Sequence, residues 1–212
     1  MKNQYKLSLF LLGFVFLLAG CGKKIYKTST SFEQSITYSR KLVAILPFEV
    51  SSQDDTAIDE AAYKNREQAY LVQKEMSSAF VYQFSRKRYN IDFQDIDKTN
   101  EILRSNRITY EELQTRDRTQ ICRLLRVDAI ISGVIRSSAP LLDGNTQTVI
   151  GINPQRKFPN PTTFTININE QSEGKLVWNY TYDTPSIVGN KIQALTSDVM
   201  GDVAAKFPYR KK

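Results

Sequence analysis

The chain alternates between continuous apolar runs, apolar stripes at helical spacing, and one stretch of strict two-residue alternation. The first run, Leu7 to Leu18, has twelve apolar or small positions without a charge and stops at "LAGCGKK". The second, "KLVAILPFEV" from Lys41 to Val50, carries Val43, Ile45, Leu46 and Phe48 and ends in Ser and Asp. Nearly unbroken hydrophobicity over this length predicts a central strand covered on both faces. From Asp54 to Arg88 the pattern changes to a helical one. Ala69, Val72, Met76, Phe80 and Phe84 recur at three- and four-residue steps, so one face should pack on the sheet while the other carries charge.

Tyr89 to Asp95 reads as a short strand, and "DIDKTNEILRSN" as a short helix starting near Asp97. Thr109-Tyr110-Glu111-Glu112 has the Thr-x-x-Glu form of a capping box and opens a helix expected to reach about Arg126, with Leu113, Ile121, Leu124 and Leu125 inward. Val127 to Ser137 is again an apolar strand, returning to the same sheet. From Ser138 to Pro161 the pattern dissolves into Pro, Gly and Asn, with one short apolar patch at Thr148 to Ile152. Then Phe164, Ile166 and Ile168 alternate, "QSEG" supplies a turn with Gly174, and Leu176, Trp178, Tyr180 and Tyr182 alternate again. This is an antiparallel hairpin with one wet face. Thr184-Pro185 should start a last helix, with Val188, Ile192, Leu195, Val199 and Val203 inward, ending before Pro208.

This order predicts an α/β fold: one domain, a mixed β-sheet with helices packed against it, and a C-terminal β-hairpin followed by a helix. The length of 212 residues, 41% hydrophobic and 24% charged, fits one domain with a real core.

The N-terminal run changes the picture most. Lys2 and Lys6 precede it, and small residues precede Cys21, the three-part layout of a secretory signal. A spanning helix needs about 20 apolar residues, and this run is shorter. Leu18-Ala19-Gly20-Cys21 matches the bacterial lipobox, in which the leader is cut before the cysteine and the thiol is lipidated. The expected organisation is a lipoprotein signal peptide over residues 1–20, a lipid-anchored tether over 21–40, a periplasmic α/β domain over 41–207 and a basic tail over 208–212. "IYKTSTSFEQSITYSR" lacks apolar periodicity, as a tether should. Two or three acyl chains (diacylglycerol, and a palmitate-type chain) attach a protein firmly where one does not. By known sorting rules the absence of Asp after Cys21 points to the outer membrane, periplasm-facing, with the inner membrane as the alternative.

Charge and candidate chemistry mostly exclude. The chain has no histidine, which removes histidine bases, Ser-His and Cys-His dyads and histidine-ligated metals. Its +7 net charge includes Lys2 and Lys6 of the leader and is too sparse for a nucleic-acid binder. The basic clusters Ser85 to Arg88 and Tyr209 to Lys212 fit helix C-termini. The run from Asp95 starts like a calcium loop but has Asn100 and Asn106 where Gly and Glu are required, so a helix cap is expected. Asp54-Asp55 and Glu111-Glu112 sit at predicted helix starts, where negative charge is stabilising. Cys122 lies mid-helix among apolar neighbours and reads as a small hydrophobe. Trp178, Tyr180 and Tyr182 could line a peptide or glycan site but more naturally fill core. No phosphate loop, Ser-x-x-Lys or Gly-x-Ser-x-Gly is present. No catalytic, metal or cofactor site is expected, and Cys21 is the one residue with a chemical role.

The lipobox, "VAILPF", "DFQDIDKTNEIL", "LLRVDAIISGVI" and "GKLVWNYTY" together resemble a loose group of bacterial periplasmic lipoproteins that includes the curli-secretion lipoprotein CsgG and the synthase activator LpoB. The resemblance spans most of Lys41 to Phe207. It implies a shared periplasmic α/β domain without a catalytic motif, and a non-enzymatic accessory or assembly factor binding another envelope protein. The alternative it implies is a subunit of an oligomeric secretion ring; a histidine-free enzyme is the third reading. Ser138 to Pro161, broken by four prolines, lacks the alternation of a membrane-barrel hairpin. A tether of about twenty residues spans at most about 65 Å at roughly 3.3 Å per residue, which restricts partners to those near the anchoring membrane.

Overall fold

The computed structural model describes residues 23–28, 40–52, 58–85, 89–137, 162–172, 174–184 and 192–209. Seven strands make one mixed sheet: β1 (Lys23–Thr28), β2 (Lys41–Ile45), β3 (Glu49–Ser52), β4 (Ile91–Phe93), β5 (Ala129–Ser137), β6 (Thr162–Glu170) and β7 (Leu176–Thr184). The described helices are α1 (Ile58–Ser85), α2 (Ile96–Ser105), α3 (Tyr110–Thr115), α4 (Arg118–Leu125) and α5 (Ile192–Lys206). The spatial order is β1-β7-β6-β5-β2-β4, with β3 continuing the line of β2 along β5. The β4, β2, β3 and β5 part is parallel; β5, β6, β7 and β1 are antiparallel. The predicted mixed α/β fold with its hairpin and following helix is the observed one.

Two helical layers explain the hydrophobic pattern. Val43 and Ile45 of β2 face a core shared with Met76 and Phe80 of α1 and Leu195 and Val199 of α5. Ala44 and Leu46 face a second core with Leu103, Leu113, Ile121 and Leu125 of α2 to α4. Both faces of β2 are therefore buried, as its unbroken apolar run requires. β6 and β7 bury one face in the first of these cores. Phe164, Ile166, Ile168, Trp178, Tyr180 and Tyr182 are buried on it, and Thr163, Thr165, Asn167, Asn179, Thr181 and Asp183 remain half-exposed between them.

The segment Lys41 to Val50 is two strands rather than the single one expected. Pro47 has no N–H for the ladder, and the register against β5 shifts by one residue between Ile45↔Ile131 and Glu49↔Val134. The polar groups released there find partners. Leu46 N donates to Ile131 O at 2.8 Å, Gln73 Nε2 donates to Ile45 O at 2.7 Å, and the Tyr110 hydroxyl donates to Phe48 O (3.2 Å) while accepting from Val50 N (3.0 Å). Phe48 then lies across Gly133 of β5, where an added Cβ would stand 2.1 Å from the Phe48 ring and 2.4 Å from Thr165 O.

The helix expected from Tyr110 to Arg126 is also two. Thr109 caps α3 with a complete capping box: Glu112 N donates to Thr109 Oγ1 at 3.2 Å and Thr109 N to Glu112 Oε2 at 3.1 Å. Arg116 then turns extended and Asp117 caps α4, accepting from Gln120 N at 2.9 Å. Arg118 reaches back to the last carbonyls of α3, Leu113 O (2.9 Å) and Gln114 O (3.2 Å). Thr184 is the last residue of β7, and the expected helix start at Pro185 to Val188 lies outside the described residues.

Candidate functional site

Cys21, Asp54-Asp55 and Ser138 to Pro161 lie outside the described residues, as do residues 86–88 and 210–212 of the basic clusters. The remaining candidates can be placed atom by atom. Asp95 is the N-cap of α2, its Oδ1 accepting from Asp97 N (2.8 Å) and Lys98 N (3.1 Å); its carboxylate is spent on the helix. Glu112 belongs to the capping box and Glu111 to the first turn of α3. Among the described residues no group of three His, Cys, Asp or Glu side chains converges, and no helix is long and apolar enough to cross a membrane.

Cys122 is fully buried on α4. Burial pushes its thiol up to about 12, with the Arg118 guanidinium offsetting only part of that, and its Sγ approaches Asn169 O at 4.0 Å. A thiol held protonated and away from solvent is a poor nucleophile, so the core reading holds. Trp178, Tyr180 and Tyr182 are core as well. The two tyrosine hydroxyls donate across to α5, Tyr180 to Asp202 Oδ2 at 2.8 Å and Tyr182 to Asp198 Oδ2 at 2.6 Å. Desolvation, reinforced by Asp202, holds the Tyr180 phenol well above its ordinary value. These side chains fasten α5 to the sheet and are not themselves free to serve as a platform for a ligand.

Three arrangements were not predicted. The first is a polar lock at the start of β2, where Lys41 Nζ pairs with Glu170 Oε1 and the same oxygen accepts from the Tyr209 hydroxyl at 3.0 Å. Asn90 N also donates to Tyr209 O at 3.0 Å. Tyr209, expected in a basic tail, is buried, and Phe207 sits edge-on to Phe80 and Phe84. The domain therefore continues past residue 207. The one available signal was aromatic: "FPY" after a buried stripe is unusual for a solvated end.

The second is the outer face of α1. Tyr63, Tyr70 and Val81 are 59%, 41% and 55% exposed. Separations of seven and eleven residues are about two and three helical turns, so the three lie nearly on one line. Arg66, Glu67 and Lys74 flank that line, and Arg66 stacks on the Tyr63 ring at 5.6 Å. The line presents two aromatic rings and an apolar side chain beside Arg66, Glu67 and Lys74.

The third is β1. Lys23–Thr28, expected in the tether, pairs antiparallel with β7 from Lys23↔Asp183 to Thr28↔Trp178. An edge strand needs only one partner and tolerates lysine, so its polar sequence carries no strong strand signal.

No protein-family model matches the chain, and no curated protein sequence does. Solved structures similar in chain trace include the PelC dodecamer from Paraburkholderia phytofirmans, at 10% identity and TM-score 0.39 over 91% of this chain and 99% of that one. Lipoprotein GNA1162 from Neisseria meningitidis is similar at 12% identity and TM-score 0.42, over 78% and 98%. The LpoB C-terminal domain from Salmonella enterica follows at 5% and 0.37, over 74% and 96%. At these identities the likeness concerns the chain trace alone.

Proposed function

We propose that the chain is a lipid-anchored cell-envelope protein without enzymatic activity, acting as an accessory or assembly factor that binds another envelope protein. The observation that carries the anchor is Leu18-Ala19-Gly20-Cys21 directly behind a basic, apolar leader. The non-enzymatic reading is supported by what the polar side chains do: Asp95, Thr109, Glu112 and Asp117 cap helices, Asp198 and Asp202 hold tyrosines, and Cys122 is buried. The Tyr63, Tyr70 and Val81 line on α1 is the surface offered to a partner.

Two measurements test the reading. Radiolabelled palmitate should enter the wild type and not Cys21→Ser; equal labelling of both would refute the anchor. A photo-crosslinking amino acid at position 63 or 70 should trap one envelope protein in cells, and the same residue at exposed Arg123 on α4 should not. Crosslinks of equal pattern from all three sites would refute the α1 surface.

A further inference from the structure

The strand β1 fixes how far the domain can stand from its anchor. Only Gly22 separates Cys21 from Lys23, the first residue of β1. Two residue steps reach at most about 7 Å, where a free tether to Lys41 would reach about 65 Å. Six register pairs with β7 commit β1 to the sheet from its first residue, so the corner of the sheet at Lys23 is held at the membrane rather than on a leash.

That corner belongs to a row that crosses five strands. Lys23 pairs with Asp183, Asp183 with Thr163, Thr163 with Arg136, and Arg136 with Ser51. Every member is polar, and Thr163 Oγ1 donates to Asp183 Oδ1 at 2.9 Å. The row five residues further along β1 joins Thr28 to Trp178, Ile168, Ile131 and Ile45, and the last four are core. β1 also runs away from the anchor, so the strand axes lead from the bilayer into the aqueous space. The nine-residue strands β5, β6 and β7 then extend roughly 30 Å from the near row to the Gly174 turn at about 3.3 Å per residue.

We infer that the domain sits end-on against a lipid headgroup surface, with the Lys23, Asp183, Thr163, Arg136 and Ser51 row and the outermost Thr184, Thr162, Ser137 and Ser52 row at the lipid end and the β6–β7 turn farthest from it. This rests on the lipid-anchor reading of Cys21. It also narrows the partner surface, because the whole domain lies within a few tens of ångströms of the anchoring membrane.

The test uses the full lipoprotein in a Cys122→Ala background, reconstituted in phosphatidylethanolamine and phosphatidylglycerol vesicles. A fluorophore is placed at Arg136→Cys in the near row or at Lys175→Cys beside the far turn, both exposed positions. Headgroup-spin-labelled lipid should quench the Arg136 site at least about threefold more than the Lys175 site. A flexible twelve-residue Gly/Ser insertion between Gly22 and Lys23 should remove the difference. Equal quenching without the insertion, or stronger quenching at Lys175 as an edge-on sheet would give, overturns the inference. Mass spectrometry of the N-terminal peptide separates the two failures. An acylated Cys21 with equal quenching overturns the orientation alone, whereas an unmodified Cys21 overturns the anchor and the orientation together.

Discussion

Tyr209 and Glu170, thirty-nine residues apart, share one hydrogen bond of 3.0 Å that closes the segment after α5 onto the end of β6. The same Glu170 oxygen receives Lys41 Nζ, and the two charged side chains are only 10% and 18% exposed. Breaking such a pair leaves a charge with little water to replace its partner. Glu170→Ala should therefore cost roughly 3 kcal/mol. Lys41→Met combined with Glu170→Leu should recover most of that loss, since removing both charges leaves neither stranded. Urea denaturation of the three proteins checks both statements, and a double variant as weak as the single one would refute the pairing.

The phenols set an alkaline limit. Desolvation, with Glu170 adding to it, raises Tyr209, and desolvation with Asp202 raises Tyr180. Tyr110 is raised chiefly by burial. A phenol whose folded value lies above its unfolded value of 10.0 binds its proton more tightly in the fold. The stability it contributes is complete below pH 10 and is lost as pH rises beyond it. Stability should thus fall steeply above about pH 10. Tyr209→Phe should be weaker by about 1 kcal/mol at neutral pH and decline less steeply above pH 10. Thermal melts from pH 7 to 11.5 measure both; parallel curves would refute the assignment.

Much of this fold is written in local patterns. The runs of β2 and β5, the stripe of α1, the Thr109 to Glu112 box and the alternation of β6 and β7 each obey a single period or cap rule, and each element appears. The misses fall where a local signal is weak or compounded. Pro47 interrupts a run whose hydrophobicity continues on both sides, because Phe48 and Val50 are needed by the same core. Asp117 with Gln120 three residues on repeats the grammar of Thr109 with Glu112, so the break before α4 was legible there. β1 was not, since its pairing depends on an edge of β7 that is defined only once the hairpin exists. The Lys41, Glu170 and Tyr209 lock joins positions 41, 170 and 209, and no spacing rule reaches that far.

Gly133 is required by contact rather than by turn geometry. Its missing side chain is the space occupied by the Phe48 ring and the Thr165 carbonyl. Gly133→Ala should destabilise by at least about 2 kcal/mol, since both neighbours are held in the sheet and core. Adding Phe48→Leu should return part of the loss by vacating the ring volume. Additive losses in equilibrium denaturation would contradict this geometry.

Two arginines carry backbone strain that glycine would relieve. Arg107 and Arg126 have φ of 57° and 56°, and Arg126 closes α4 with its N–H directed at Arg123 O and Cys122 O. Both side chains are exposed. The left-handed conformation costs an ordinary residue roughly 1 kcal/mol, partly offset by glycine's freer unfolded chain. Arg107→Gly and Arg126→Gly should each stabilise by about 0.5 kcal/mol, read as a higher urea midpoint at unchanged slope. A lower midpoint for both would refute the argument.

Cys122 gives the most direct check on the second core. Its thiol is fully buried between α4 and the sheet and is pushed up to about 12. Reaction with iodoacetamide at pH 8 therefore requires both opening of the core and loss of the proton. Alkylation of the Cys122 peptide, followed by mass, should be at least about a hundredfold slower in the native protein than in guanidinium. Cys122→Ala should cost about 1 kcal/mol, and Cys122→Ser more, because a hydroxyl among Leu103, Ile121 and Leu125 must find a hydrogen-bond partner. Rapid native alkylation would show that α4 does not cover the sheet, and would reopen the question of whether this thiol does chemistry.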